Sequence, residues 1–187
     1  MRFRTLVAVL ISVLVLLGFS GCRSAKLTPA QKAVVSEAKT VYTQVGMWSE
    51  KGHIIATNYK RGFHLPVNSR VTIIKVTPRV IRFTYGGQQI DLKNVKRYTK
   101  VDISRLMERT FSSTKVDLSR FSESEQKAVS RGKITVGMSK DAVIVSRGYP
   151  PAHRTPLLDL NSWRYWQNRF NTNIYEFIDG KVSEIIH

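Results

Sequence analysis

The sequence predicts an α+β protein in two parts: a small, strongly bent β-sheet domain, and then two helices followed by three strands. Two observations carry this prediction. Between Thr40 and Leu92, short stretches rich in β-branched and aromatic residues alternate with turn residues, which is typical of strands. From Ser122 onward, helix-capping patterns precede two helical stretches, and an alternating pattern then runs to Ile186.

The first residues have the pattern of a bacterial export signal. Arg2 and Arg4 form a positive start, and an apolar run extends from Leu6 to Phe19. This run is shorter than the roughly 20 residues that a membrane-spanning helix needs. Residues 1–21 are therefore predicted to be a signal peptide. An uncleaved signal anchor is the alternative.

The stretch Phe19-Ser20-Gly21-Cys22 resembles the bacterial lipobox, in which the cysteine becomes the lipidated first residue of the mature protein. The resemblance implies covalent N-acyl and diacylglycerol groups at Cys22, and no other cofactor is expected. Residue 23 is Arg rather than Asp, which by resemblance to enterobacterial sorting signals implies the outer membrane, with the protein facing the periplasm. Cys22 is the single cysteine, so a disulfide within one chain is excluded.

The composition is strongly basic, with 30 Lys and Arg against 13 Asp and Glu and a net charge of +17. Such a charge favours anionic partners: nucleic acid, lipid headgroups or lipopolysaccharide phosphates. A solvated basic surface is the alternative explanation. Because an exported lipoprotein seldom meets nucleic acid, we expect no nucleic-acid partner.

Residues 22–39 are predicted to be a lipid-anchored tether and a short helix. Thr28 and Gln31 form a capping box around Pro29, a residue favoured at the first helical position. The helix is therefore expected to run to about Lys39.

Residues 40–111 are predicted to form a small SH3-like β-barrel with a closing helix. Turn signals such as Gly86-Gly87 divide the strands. Asp102 caps the closing helix, whose apolar residues recur at helical spacing. Five short strands at this spacing suit such a barrel. These strands are Thr40–Val45, His53–Tyr59, Val71–Val76, Val80–Tyr85 and Gln88–Leu92.

Residues 112–121 lack a sustained pattern and are predicted to be the linker to an α+β domain of residues 122–187. Ser122 opens a capping-box helix that runs to about Arg131. A strand-like stretch from Lys133 leads to a second helix, which Ser139 caps and Gly148 ends. Three strands follow, the last two joined by a hairpin turn at Asp179-Gly180. They are Ser162–Gln167, Asn173–Ile178 and Lys181–Ile186.

Short motifs in this last part resemble the BamE/SmpA-type lipoprotein domain. They are Gly137-Met138-Ser139-Lys140, Gly148-Tyr149-Pro150, Trp163-Arg164-Tyr165, and Phe177 with Asp179-Gly180-Lys181-Val182. Arg147 departs from the family pattern, which has an apolar residue before the glycine. The resemblance covers residues 122–187 and implies an ααβββ fold. It also implies an accessory role in the outer-membrane β-barrel assembly machine, but the same fold occurs in unrelated inhibitor and scaffold proteins.

No arrangement of residues predicts an enzyme. The four histidines lie far apart in the sequence and none has a metal-binding spacing such as HExxH. Motifs for an activated serine or a phosphate-binding loop are missing from the sequence. Ser139 is explained as a helix cap. We therefore expect no catalytic residue and no metal site.

Two groups of residues are candidates for binding. Side chains alternate along a strand, so Trp163 and Tyr165 share one face, which we expect to be core, and Trp166 lies on the other. Covering a sheet edge or the linker is the alternative role for Trp166. The candidates for partner contacts are Arg164, Trp166, Arg169 and Phe170. The candidates for an anionic surface are Lys93, Lys96, Arg97 and Lys100.

These predictions describe a non-catalytic outer-membrane lipoprotein that acts as an assembly or scaffold factor in the bacterial cell envelope, accessory to the assembly of β-barrel proteins. The expected partners are the membrane through the lipid anchor, an envelope protein such as the β-barrel assembly machinery, and anionic lipid or lipopolysaccharide. The alternative is an envelope-binding module that recognises peptidoglycan or the phosphates of anionic lipid or lipopolysaccharide.

The lipid anchor is tested by the variant Cys22→Ala. It should abolish the incorporation of labelled palmitate and leave precursor or soluble protein, because one sulfur atom carries the thioether-linked lipid. The control Ser24→Ala changes a small residue just beyond the cysteine and should label normally. Palmitate labelling that persists in Cys22→Ala would show that the lipoprotein prediction is wrong.

Overall fold

The computed structural model describes residues 24–187, and these form an α+β fold. The predictions for residues 1–21, Cys22 and Arg23 lie outside the described residues. No helix between residues 24 and 187 is both long and apolar enough to cross a membrane. Two hydrophobic cores are present. One lies in an N-terminal unit (residues 24–112), and the other lies mainly in a C-terminal unit (residues 122–187) but includes Val67 and Phe121.

The N-terminal unit is built on a six-stranded mixed sheet. The elements of this unit are α1 (Pro29–Ser36), β1 (Thr40–Thr43), β2 (Met47–Ser49), β3 (His53–Ile55), β4 (Phe63–Leu65), β5 (Arg70–Val76), β6 (Val80–Tyr85), β7 (Gln88–Lys93), α2 (Lys96–Thr99), α3 (Ile103–Thr110) and β8 (Phe111–Ser112). The strand order in the six-stranded sheet is β3-β7-β6-β5-β1-β8. Its neighbouring strands are antiparallel except β3 and β7, and β2 pairs with β4 in a separate two-stranded sheet.

The predicted SH3-like barrel is corrected to an open sheet. Within the described residues β3 and β8 are the two edges and do not pair with each other. The strand predicted over His53–Tyr59 ends at Ile55, because Asn58 takes a left-handed backbone (φ 52°) and turns the chain toward the C-terminal unit. The strands β2, β4 and β8 and the short helix α2 were not predicted from the sequence.

The predicted helix caps of this unit are confirmed. Thr28 and Gln31 form the reciprocal capping box of α1, and the Asp102 carboxylate accepts from the N–H of Arg105 at the start of α3. The apolar stripe of α3 packs into the first core together with Phe83, whose ring meets Phe111 edge-on at 5.2 Å. These contacts hold α3 against the sheet.

The segment predicted as a linker connects the two units. Ser112 belongs to β8, whereas Phe121 is buried in the second core. Between them, the Asn68 side chain accepts from the N–H of Val116 and donates to its carbonyl, at 2.7 and 2.9 Å. The exact domain boundary stays a prediction.

The C-terminal unit has the predicted order of two helices and three strands. Its strands form an antiparallel sheet in the order β11-β10-β9. Trp163 and Tyr165 are fully buried in its core, as predicted, and Asp179-Gly180 turns the last hairpin with positive φ at both residues. The stretch from Lys133, predicted to be strand-like, contains turns instead. The elements are α4 (Glu123–Ser130), α5 (Lys140–Arg147), β9 (Ser162–Trp166), β10 (Thr172–Ile178) and β11 (Lys181–Ile186).

Glu125 joins the N-termini of both helices of this unit. One carboxylate oxygen accepts from the N–H and hydroxyl of Ser122 (3.0 and 2.9 Å), and the other accepts from those of Ser139 (2.8 and 2.7 Å). Partial burial pushes the pKa of Glu125 up, but these hydrogen bonds outweigh that effect and hold the pKa at about 2. The ionised carboxylate therefore ties α4 to α5.

Replacing Glu125 with Gln should destabilise the C-terminal unit. The amide loses two acceptor positions and the charge, so we expect the free energy of unfolding at pH 7 to fall by about 1–3 kcal/mol. Because the folded-state pKa is depressed, the stabilising effect of Glu125 is complete above about pH 4.5 and is lost as the pH falls toward 2. The difference between wild type and Glu125→Gln should shrink over that range.

Urea unfolding at pH 7 and at pH 2.5 measures both effects. Glu123→Gln is the matched control, since Glu123 carries the same charge in the same helical turn and lies exposed. Equal losses of stability in the two variants would contradict the linking role of Glu125.

Candidate functional site at the boundary of the two units

Arg147 is buried at the boundary between the units, with an exposed fraction of 1%. One guanidinium nitrogen donates to the backbone carbonyls of Asn58 and Trp166, both at 3.2 Å. Within the described residues no carboxylate pairs with it and its Nε has no hydrogen-bond partner. Burial lowers the pKa of Arg147, but a guanidinium keeps its proton in proteins. A positive charge is therefore held here by two carbonyl groups and by the ring of Tyr165, whose centroid lies 5.8 Å from the guanidinium carbon.

Asn58 meets Arg147 from the N-terminal unit. Its side-chain nitrogen donates to the carbonyls of Gly46 (2.9 Å) and Arg147 (2.6 Å), and its side-chain oxygen accepts from the N–H of Trp48 (3.0 Å). The two residues thus bond reciprocally, each donating from its side chain to the backbone of the other. This pair connects a loop of the first unit to the end of α5.

Two glycines allow the backbones to approach closely at the same boundary. The N–H of Gly46 donates to the carbonyl of Val145 at 2.8 Å, and a Cβ at Gly46 would collide with the carbonyl oxygen of Ser146. Gly132 lies against the ring of His64 with no room for a Cβ. Burial, followed by the charge of Arg147, lowers the pKa of His64. At these two glycines the units are therefore in close contact.

A groove of about 240 Å³ opens at this boundary. Four rings follow one another along it: Tyr98 lies 4.7 Å from His153, His153 6.3 Å from Trp166, and Trp166 6.2 Å from Tyr59, measured between ring centroids. We call this the junction groove. Its lining residues are Tyr59, Tyr98, His153, Arg154, Trp166 and Arg169.

Both units position the rings of the junction groove. Tyr59 follows the turn at Asn58, and Trp166 ends β9. The guanidinium of Arg147 donates to the carbonyl of Asn58, the residue before Tyr59, and to the carbonyl of Trp166 itself. The N–H of His153 donates to the carbonyl of Tyr98 at 3.1 Å, which holds these two rings together. The spacing of the four rings therefore depends on contacts between the units.

The junction groove is positive. Arg154 and Arg169 are exposed on it, and neither has a carboxylate within ion-pair distance in the described part of the chain. Burial and the charges of Arg154 and Lys100 lower the pKa of His153, against the opposing effect of the Tyr98 carbonyl. Burial, Arg147 and Lys133 likewise lower the pKa of Lys60. The surroundings thus favour an anionic ligand.

Two of the four residues predicted to contact a partner lie together in the structure. Trp166 and Arg169 line the junction groove, and Arg169 also lies over the ring of Phe170 at 4.5 Å. Phe170 is 74% exposed in the β9–β10 turn, and Arg164 donates to the hydroxyl of Thr172 on the sheet face away from the helices.

The predicted anionic surface lies next to the groove. Lys93, Lys96, Arg97 and Lys100 are all exposed. Arg97 lies over the ring of Tyr98 at 4.6 Å and donates to its hydroxyl at 2.7 Å. The basic stretch therefore reaches the groove through Tyr98.

Sequence analysis did not identify Tyr59, His153 or Asn58 as site residues. Asn58 and Tyr59 were predicted to continue a strand that in fact ends at Ile55, and His153 lies in an irregular segment. One signal was available at Arg147, whose charge interrupts an otherwise apolar helix pattern before Gly148. A charge buried at such a position requires hydrogen-bond partners, and one of them, the carbonyl of Asn58, comes from the other unit.

No protein-family model, curated protein or solved structure matches this chain. Between residues 24 and 187, no group of three or more His, Cys, Asp and Glu side chains could hold a metal ion.

Removing the side chain of Asn58 should weaken the contact between the units. In Asn58→Gly the left-handed backbone stays accessible, while the three side-chain hydrogen bonds of Asn58, two of them buried, are lost. Since each buried polar group left without a partner costs about 1–3 kcal/mol, thermal unfolding should show a loss of at least about 2 kcal/mol. The control Asn171→Gly alters an exposed asparagine and should cost far less. Equal melting temperatures for wild type and Asn58→Gly would contradict this account of the boundary.

Proposed function

We propose that this protein is a non-catalytic outer-membrane lipoprotein, anchored through Cys22 and facing the periplasm, that acts as an assembly or scaffold factor in the cell envelope. The observation that carries the proposal is the junction groove, where Trp166 and Arg169 meet three further rings. Tryptophan, tyrosine and arginine are the residues that contribute most often to protein–protein binding energy. A groove of this composition suits partner binding better than chemistry.

The accessory role in β-barrel assembly rests on the resemblance of residues 122–187 to the BamE/SmpA-type domain. The ααβββ order of the C-terminal unit agrees with that resemblance, as do the cap at Ser139 and the buried Trp163 and Tyr165. Arg147 is the departure from the family pattern. Because Arg147 bonds to Asn58 of the N-terminal unit, this departure supports a role in which the BamE-like domain works attached to the N-terminal unit of the same chain.

A second candidate function is the binding of an anionic envelope component: peptidoglycan, anionic lipid or the phosphates of lipopolysaccharide. The specific observation in its favour is that Arg154 and Arg169 on the junction groove form no ion pair with a carboxylate of residues 24–187. Beside it lies the basic stretch from Lys93 to Lys100, and each Lys or Arg near an anionic membrane contributes about 1 kcal/mol.

Photocrosslinking in cells tests the scaffold function. A photoreactive residue at Phe170, beside the groove, should capture an envelope protein, including β-barrel assembly components. The same residue at Ile178 is the matched control, because Ile178 is an apolar residue of similar exposure (67%) at the opposite end of the sheet strand β10. Identical captured proteins at both positions, or none at Phe170, would contradict the proposal.

A further inference from the structure

We propose that the junction groove binds a phosphate monoester carried on a sugar ring. This inference rests on the second candidate function, binding of an anionic envelope component, and specifies the chemistry of that component. It is argued from the rings of the groove, its cations and its size.

The rings supply a surface for a sugar. Tyr59 and Trp166 are half-buried, come from different units and lie 6.2 Å apart at a mutual tilt of 53°. The face of an aromatic ring is electronegative, and the C–H groups on one side of a pyranose ring carry partial positive charge. A sugar ring therefore packs against such faces, whereas its hydroxyl groups remain at the edges for hydrogen bonds.

The cations supply a site for the phosphate. Arg154 and Arg169 lie on the same groove as these rings, and a guanidinium binds phosphate oxygens through paired N–H donors. No carboxylate of the described residues lines the groove, so an anion meets no opposing charge there. The buried charge of Arg147, within 3.2 Å of the backbone of Trp166, adds to the attraction.

The size of the groove limits the ligand. Its volume of about 240 Å³ is below the roughly 300–1,000 Å³ of sites that enclose a drug-sized molecule. One sugar ring with its phosphate fits such a space, and the remainder of a glycolipid or glycan would extend into solvent. Single-stranded nucleic acid also stacks on aromatic rings, but it needs successive platforms for successive bases, and the predicted export signal separates this chain from it.

Calorimetric titration of the full-length chain in detergent tests the ligand class. Glucosamine 1-phosphate should bind at least tenfold more tightly than N-acetylglucosamine or inorganic phosphate, because only the first engages both the rings and the arginines. Affinities within threefold of one another for all three compounds would overturn the proposal. Tighter binding of oligothymidylate than of the sugar phosphate would overturn it as well.

Two variants separate the contribution of the rings to the binding affinity from the contribution of the arginine charges. Arg154→Gln/Arg169→Gln should weaken glucosamine 1-phosphate binding at least tenfold. The control Arg70→Gln/Arg79→Gln removes the same charge from exposed positions of the other unit and should change it less than twofold. Tyr59→Leu should weaken the sugar phosphate but not inorganic phosphate. Equal losses in both arginine pairs would show that binding is general charge attraction and overturn the proposal.

Vesicles distinguish the source of the sugar phosphate. If the ligand is a glycolipid headgroup, the chain should prefer vesicles bearing lipid A, whose headgroup is a phosphorylated disaccharide, over phosphatidylglycerol vesicles of equal charge. If the ligand is soluble, glucosamine 1-phosphate should bind while lipid A vesicles give no preference. Absence of binding to both, with crosslinks at Phe170 retained, would refute the ligand class and leave the scaffold function in place.

Discussion

The buried charge of Arg147 is the constraint on which the relation between the two units depends. Removing a guanidinium from water is costly unless hydrogen bonds compensate. Here the compensation comes from the carbonyls of Asn58 and Trp166, one on each unit, and from no carboxylate among the described residues. If the units separated, the guanidinium would be exposed and the carbonyl of Asn58 would lose its donor. The boundary is therefore closely packed, and the hydrogen bonds between Arg147 and Asn58 fix how its two sides meet.

The junction groove is built from both units. Tyr59 comes from one unit and Trp166 from the other, and Arg147 donates to the carbonyls of Asn58, next to Tyr59, and of Trp166. Neither unit alone would present the full row of rings. The β-sheet unit contributes two of the four rings, Tyr59 and Tyr98.

Local signals in the sequence were sufficient for the capped helices but not for the short helix α2 or the first sheet. The caps at Thr28, Ser122 and Ser139 were predicted and confirmed, because a cap involves residues only three positions apart. The predicted barrel was wrong because strand pairing joins distant residues: β3 pairs with β7 in parallel at one edge and β8 pairs with β1 at the other. No local pattern specifies those partners.

The sequence by itself determined the α+β class, the helix starts, the hairpin at Asp179-Gly180 and the face of Trp163, since each follows from dihedral preference or from side-chain alternation along one element. It also identified Trp166 and Arg169 as binding candidates. Only the tertiary structure decided that these two meet Tyr59 and His153 in one groove. The reason is that the groove depends on hydrogen bonds between residues far apart in the chain. The side chains of Arg147 and Asn58 each donate to the backbone carbonyl of the other.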